Sequence, residues 1–188
     1  LNRKRKYVLL TLKVISPVKG SRWQWAVSII FGILLAIPIG ISIKTVSIAA
    51  ESIEIINNIF LAFVAMEMGA YALFQALLSD QLIWELYKEG DLLKDSNESF
   101  LGVILLFWGE ILINLFLVVA LKVIPEDFLL LKSVDYSNRI AIGLLFIYYT
   151  ISMRIMFEVR NFAINLYKVF VAYNKITILK MIKKNEKK

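Results

Sequence analysis

Residues 23–43 read WQWAVSIIFGILLAIPIGISI, a run without one charged side chain. About 20 such residues, coiled as a helix, cross the roughly 30 Å hydrocarbon core of a bilayer. Trp23 and Trp25, at its start, are side chains of the kind that settle at the membrane–water boundary. Three further blocks repeat the pattern. Residues 55–79 are interrupted only by Glu67, residues 99–121 only by Glu110, and residues 140–159 meet Arg154 and Glu158 close to their end. The apolar residues come in blocks and not at amphipathic spacing, and the hydrophobic share of 59% with a mean hydropathy of +0.70 exceeds that of an ordinary soluble domain. A bilayer offers backbone groups no outside partners, and no block alternates with the period of two that a barrel requires. The expected fold class is therefore an all-α membrane protein with four transmembrane helices.

Lysine and arginine set the expected orientation. Eighteen of them lie before the first span, between the second and third, or from Arg154 onward, against four, Lys44, Lys122, Lys132 and Arg139, in the other connections. The positive-inside rule then places both termini and the middle loop in the cytoplasm, with Trp23 and Trp25 in the inner interface belt and Tyr136 in the outer one. No repeat, linker or low-complexity tract divides the 188 residues, so residues 1–188 read as one domain, ending in a cytoplasmic helical tail over 160–182. The basic opening is followed by an apolar run only over residues 7–12, too short for a secretory signal, and the first span is expected to stay as an anchor.

Composition removes several kinds of chemistry. The chain has no Cys and no His, which excludes thiol catalysis, disulfides and the usual haem and zinc ligands. It also lacks a glycine-rich phosphate loop, a nucleophile elbow and a Ser, His and Asp constellation. The expectation is a protein that is not an enzyme and holds no cofactor or metal. Direct nucleic-acid binding is not expected either, because the basic tails offer no aromatic platform for bases.

The connections carry expectations of their own. The outer loop between the first two spans is expected over residues 44–54, with Ser47 as a cap for a second helix that runs on through Gly69 to a C-terminal cap at Gly90. Such a helix leaves the membrane at its inner end and displays Leu82, Ile83, Leu86 and Tyr87 beside Asp80, Glu85 and Glu89. Asp95 and Glu98 resemble a capping box opening the third helix. In the second outer loop, Pro125 marks a turn and residues 128–131 are expected to rest on the bilayer surface.

Glu67, Glu110 and Arg154 are the strongest functional pointers. A charge at the centre of a membrane helix costs on the order of 2.5–3.5 kcal/mol on insertion scales, so such residues pair with one another or face water. Antiparallel packing brings the three towards one depth, and the expectation is that Arg154 neutralises Glu67 or Glu110. Glu67, Tyr71 and Gln75 share a helix face, as do Glu110 and Asn114. With Asn114 and Glu158, these three form the candidate intramembrane polar cluster. It reads first as a hydrogen-bond and salt-bridge network joining helices; an ion or proton path and a sensing switch stay open. Gly32, Ala36 and Gly40 repeat at every fourth position, a small-residue face for close helix contact.

The cytoplasmic parts are separated by charge. Residues 1–22 carry seven positive charges and no negative one, residues 159–188 carry a net +7, and residues 80–98 a net −4. Basic tails of this kind sit on anionic lipid; a tail docked on the acidic loop, or both tails gripping an acidic partner, are the sharper readings. On the fourth helix, Thr150, Arg154, Glu158, Asn161, Asn165 and Lys168 form one polar stripe. Phe162, Leu166, Val169, Tyr173 and Ile176 form an apolar stripe with coiled-coil spacing. The apolar stripe either lies on lipid or packs on copies of itself or a soluble protein. Together with Leu82, Leu86 and Tyr87 it is the candidate docking surface.

With four spans, both ends inside, a Lys-rich tail and a charged middle loop reading DQLIWELYKEGDLLKD over residues 80–95, the chain resembles the KwaA family, the membrane component of the Kiwa antiphage systems. The likeness is one of architecture over the whole chain and carries no site residue across. It implies a homo-oligomeric sensor of phage attack in the bacterial cytoplasmic membrane, surrounded by membrane lipids, that recruits a soluble, DNA-binding effector protein. A small ion channel or membrane-depolarising abortive-infection pore, and a bacteriocin or toxin immunity protein, are the alternative expectations.

Overall fold

The computed structural model describes residues 22–77, 92–125, 128 and 133–185. Four helices follow one another: α1 (Arg22–Gly40), α2 (Thr45–Leu77), α3 (Leu92–Val123) and α4 (Val134–Asn185). All four are long and apolar enough to cross a membrane, over Arg22–Gly40, Thr45–Leu73, Phe100–Val123 and Val134–Ile164, and no strand occurs among the described residues. With four such helices among its described residues, the chain is a multi-pass membrane protein. Its polarity is inverted relative to a soluble bundle, with Leu34 64% and Phe116 72% exposed while Glu67 is 0% and Arg154 1% exposed. Only a surrounding lipid makes that distribution favourable.

Pro38 lies in the last turn of α1, where it removes a backbone donor, and the helix ends at Gly40. Thr45 Oγ1 lies 3.0 Å from the Ile39 carbonyl oxygen and 2.6 Å from that of Ser42, so its hydroxyl covers the exposed end of α1. The amide of Ile48 donates to the Lys44 carbonyl at 3.0 Å, which starts α2 immediately. The connection is thus residues 41–44, and of the stretch expected as a loop over 44–54 everything from Thr45 onward is helical, with Ser47 inside the first turn. Glu51 and Glu54 end the apolar block but not the helix, because at a membrane rim their side chains reach out; Glu54 meets Lys122 of α3 at 2.8 Å. Asp95 likewise falls within α3 and not ahead of it, since Leu92 and Leu93 are good helix formers that carry the helix further back. At the far end, the Phe128 amide closes a turn on the Pro125 carbonyl at 3.1 Å and the Phe128 side chain is exposed. α4 then starts from Ser133, whose carbonyl accepts from the Ser137 amide.

Two antiparallel pairs make the bundle. α1 turns Gln24, Ser28, Gly32, Ala36 and Gly40 inward, one residue per turn, against α4. A Cβ on Gly40 would lie 3.2 Å from the Ile142 Cα and nitrogen, and one on Gly32 would lie 3.1 Å from the Phe146 carbonyl oxygen and 3.2 Å from the Thr150 nitrogen. The two backbones approach so closely that any side chain at either position would press on α4. α2 and α3 instead interlock large side chains, Phe60 and Phe63 packing on Phe107 with Val64, Val103, Leu106 and Ile111 around them, and Ile155 of α4 closing this core. A second apolar cluster of Ala36, Ala49, Leu145 and Tyr149, with Leu35, Ile39, Leu121, Ile142 and Phe146 against it, fills the end near Gly40. The remaining part of α4, beyond Ile164, continues as helix for about 30 Å past the apolar stretch.

Candidate functional site: a polar interior built on α4

Antiparallel packing sets the level of each polar group. Gly40 meets Ile142 and Gly32 meets Thr150, so Gln24 arrives at the level of Asn161. There a hydrogen-bonded chain links α1 to α4. Gln24 Nε2 donates to Asn161 Oδ1 at 3.2 Å, Asn161 Nδ2 donates to Glu158 Oε2 at 3.0 Å, and Arg154 Nη1 donates to Glu158 Oε1. Glu158 follows Arg154 by one turn and both are buried. The Trp25 ring lies 5.8 Å from the Arg154 guanidinium, supplying a π face where no water reaches.

The next layer joins α3 to α4. Ser152 Oγ donates to Glu110 Oε1 at 2.5 Å and, one turn along both helices, Tyr148 OH donates to Asn114 Oδ1 at 2.9 Å. Because each pair is separated by four positions on its own helix, the two bonds form a ladder. Beside it, the Tyr149 and Ser52 hydroxyls share a hydrogen bond that ties α4 to α2. Thr150 and Arg154 lie on the side of α4 facing α1, whereas Ser152, two positions from Arg154 and about 200° around the axis, faces α3.

Glu67 stands apart. It is fully buried, and neither carboxyl oxygen has a hydrogen-bond partner among the described residues. One turn to one side of it is Phe63, on the Phe107 ring; one turn to the other is Tyr71, stacked on Phe100 with 4.1 Å between centroids, and Phe100 in turn meets Phe162 at 5.6 Å. The carboxyl is thus held between two aromatic layers. The contacts of Phe60 and Phe63 with Phe107 also divide Glu67 from Glu110, since on antiparallel α2 and α3 the two acids fall on opposite sides of that layer.

The predicted cluster therefore resolves into three environments. Arg154 and Glu158 are paired on one helix, Glu110 and Asn114 bind side chains of α4, and Glu67 makes no hydrogen bond to either group. Sequence suggested that Arg154 would neutralise one of the two midspan acids; the structure pairs it with Glu158, one turn along its own helix, where i,i+4 spacing brings the two side chains together. Sequence reasoning weighed charges and passed over Ser152, Tyr148, Tyr149, Ser52 and the buried Gln24 as partners. The matching spacing of four on α3 and α4 was the available signal.

Of the candidate docking residues, Phe162 packs on Phe100 inside the bundle, and Leu166 and Tyr173 are half-buried. Leu82, Leu86 and Tyr87, the expected continuation of α2 to Gly90, and the side chains of Gln75, Asn165, Lys168, Val169 and Ile176 lie outside the described residues. No group of three acidic side chains able to hold a metal ion occurs among the described residues. Compared with models of known families, with proteins of assigned function and with solved structures, the chain matches none.

Proposed function

We propose that this chain is an oligomeric sensor or scaffold of the bacterial cytoplasmic membrane, passing a membrane event, phage attack foremost, to a soluble effector through α4. The observation that carries the reading is the double role of that helix. It supplies one end of the interior bonds to α1, α2 and α3, through Asn161, Tyr149, Tyr148 and Ser152, and the same unbroken helix runs on past the apolar stretch to Asn185. A displacement among the spans that shifts those bonds moves the far end of α4 with it, because a helix transmits rotation and translation along its length. The charge asymmetry of the sequence, by the positive-inside rule, supports a cytoplasmic location for that far end. The four-span, basic-tailed architecture resembling the Kiwa membrane component supports the choice of trigger and partner.

Helical phase tests this reading. Two alanines inserted after Ile164 turn everything beyond by about 200°, whereas a seven-residue helical insertion restores the phase to within about 20°. Cells carrying the chain with its neighbouring soluble gene product are expected to lose both co-purification and protection from phage with the short insertion and to regain both with the long one. Equal behaviour of the two insertions and the uninterrupted chain would remove α4 as the coupling element.

An ion- or proton-conducting pore is the second reading, favoured by the interior carboxyls of Glu67 and Glu110. The apolar cluster of Ala36, Ala49 and Leu145 closes the Gly40 end of a single bundle and weighs against it. Ion flux into proteoliposomes, abolished by Glu67→Gln, is the outcome that would favour the pore.

A further inference from the structure

We infer that Arg22, Trp23 and Arg160 bind the phosphate of an anionic phospholipid headgroup at the end of the bundle where α1 begins. Trp23 rests edge-on against Phe157, with 5.1 Å between ring centroids, and its ring lies 5.3 Å from the Arg160 guanidinium. That contact holds the planar donor fork at the rim, where a tryptophan of this kind belongs. Both arginines are exposed, and among the described residues neither has a carboxylate at ion-pair distance. The nearest acid along α4, Glu158, is buried and already engaged by Arg154 and Asn161, so it is not the partner of Arg160.

The occupant is a lipid because the site opens onto the apolar belt. Trp23, Val27, Ile30 and Leu34, spaced by four, three and four, form one exposed stripe that leads from the arginines along α1 into its apolar stretch. A phosphate held at the rim leaves its acyl chains in contact with that stripe, an arrangement that an acidic peptide, lying in water, does not share. Arginine matches phosphate oxygens in a bidentate manner, and two basic side chains at an interface favour anionic over zwitterionic lipid. The inference is independent of what α4 signals to.

The test uses the full chain in nanodiscs with equimolar phosphatidylcholine and phosphatidylglycerol, with lipids retained on the released protein counted by native mass spectrometry. Phosphatidylglycerol is expected to be retained in preference, and Arg22→Gln with Arg160→Gln to lower that preference about tenfold or more. The charge-matched pair Lys183→Gln with Lys184→Gln is expected to leave it unchanged. Equal loss in both double variants would mean diffuse attraction to the basic chain, and no loss in the arginine variant would mean that the lipid is not held there; either result overturns the site.

Discussion

Along α1 the side chains turned toward α4 are Gln24, Ser28, Gly32, Ala36 and Gly40, whereas α2 meets α3 through Phe60, Phe63 and Val64 against Phe107. In lipid there is no hydrophobic drive between helices, so each seam must gain from packing or hydrogen bonds. The first does so by close backbone approach and a bonded chain through Asn161 and Glu158; the second does so by interlocked rings. Each seam also buries an acid, with opposite treatment. Glu158 accepts from Arg154 and Asn161, while Glu67 has no hydrogen-bond partner among the described residues. By this difference Glu158 is expected to help hold the bundle together and Glu67 to lower its stability. An ionisable group kept inside a membrane bundle at such a cost is a mark of function.

Substitutions in the two seams should separate these roles, with melting of the detergent-solubilised chain as the common measurement. Glu158→Leu takes the carboxylate from a buried guanidinium and is expected to cost about 3–5 kcal/mol. Next in size is Gly32→Leu, expected to push α1 from α4 at a cost of about 1–3 kcal/mol. Gly69→Leu, where an added Cβ meets nothing within 4 Å, should be close to neutral. Glu67→Leu reverses the sign. It is expected to raise stability by about 1 kcal/mol, the lower end of the penalty for a buried polar group without a partner. A loss of stability as large as that of Glu158→Leu would place the two acids in the same class and remove the contrast. Apart from the near-neutral Gly69 change, the smallest effect is that of Tyr148→Phe, which deletes one bond between α3 and α4 and is expected to cost about 0.6 kcal/mol, the typical value inside membranes.

The four spans were legible because residues such as Ile30, Leu34 and Phe116 face lipid, and lipid imposes one condition on every exposed position. The α1 seam was legible for a related reason: Gly32, Ala36 and Gly40 at every fourth place mark close contact whatever the partner. Helix ends were read less well, because an acid such as Glu54 ends the apolar stretch without ending the helix. Polar partners were the hardest to read. Which residue Arg154 meets depends on rotation about each helix axis, and a stretch that is apolar on all sides carries no amphipathic signal to fix that rotation. Glu158 was one turn away and in plain view, yet two midspan acids on other helices looked equally able to compete.

The proposed coupling of membrane to cytoplasm through α4 depends on where that helix ends, which a pair of topology reporters measures directly. With a fusion after Lys188 and another at Lys132, the first is expected to be active only as a cytoplasmic reporter and the second only as an external one, as the surplus of Lys and Arg beyond Arg154 requires. An external reading after Lys188 would contradict the account, since α4 would then end on the side away from any cytoplasmic effector.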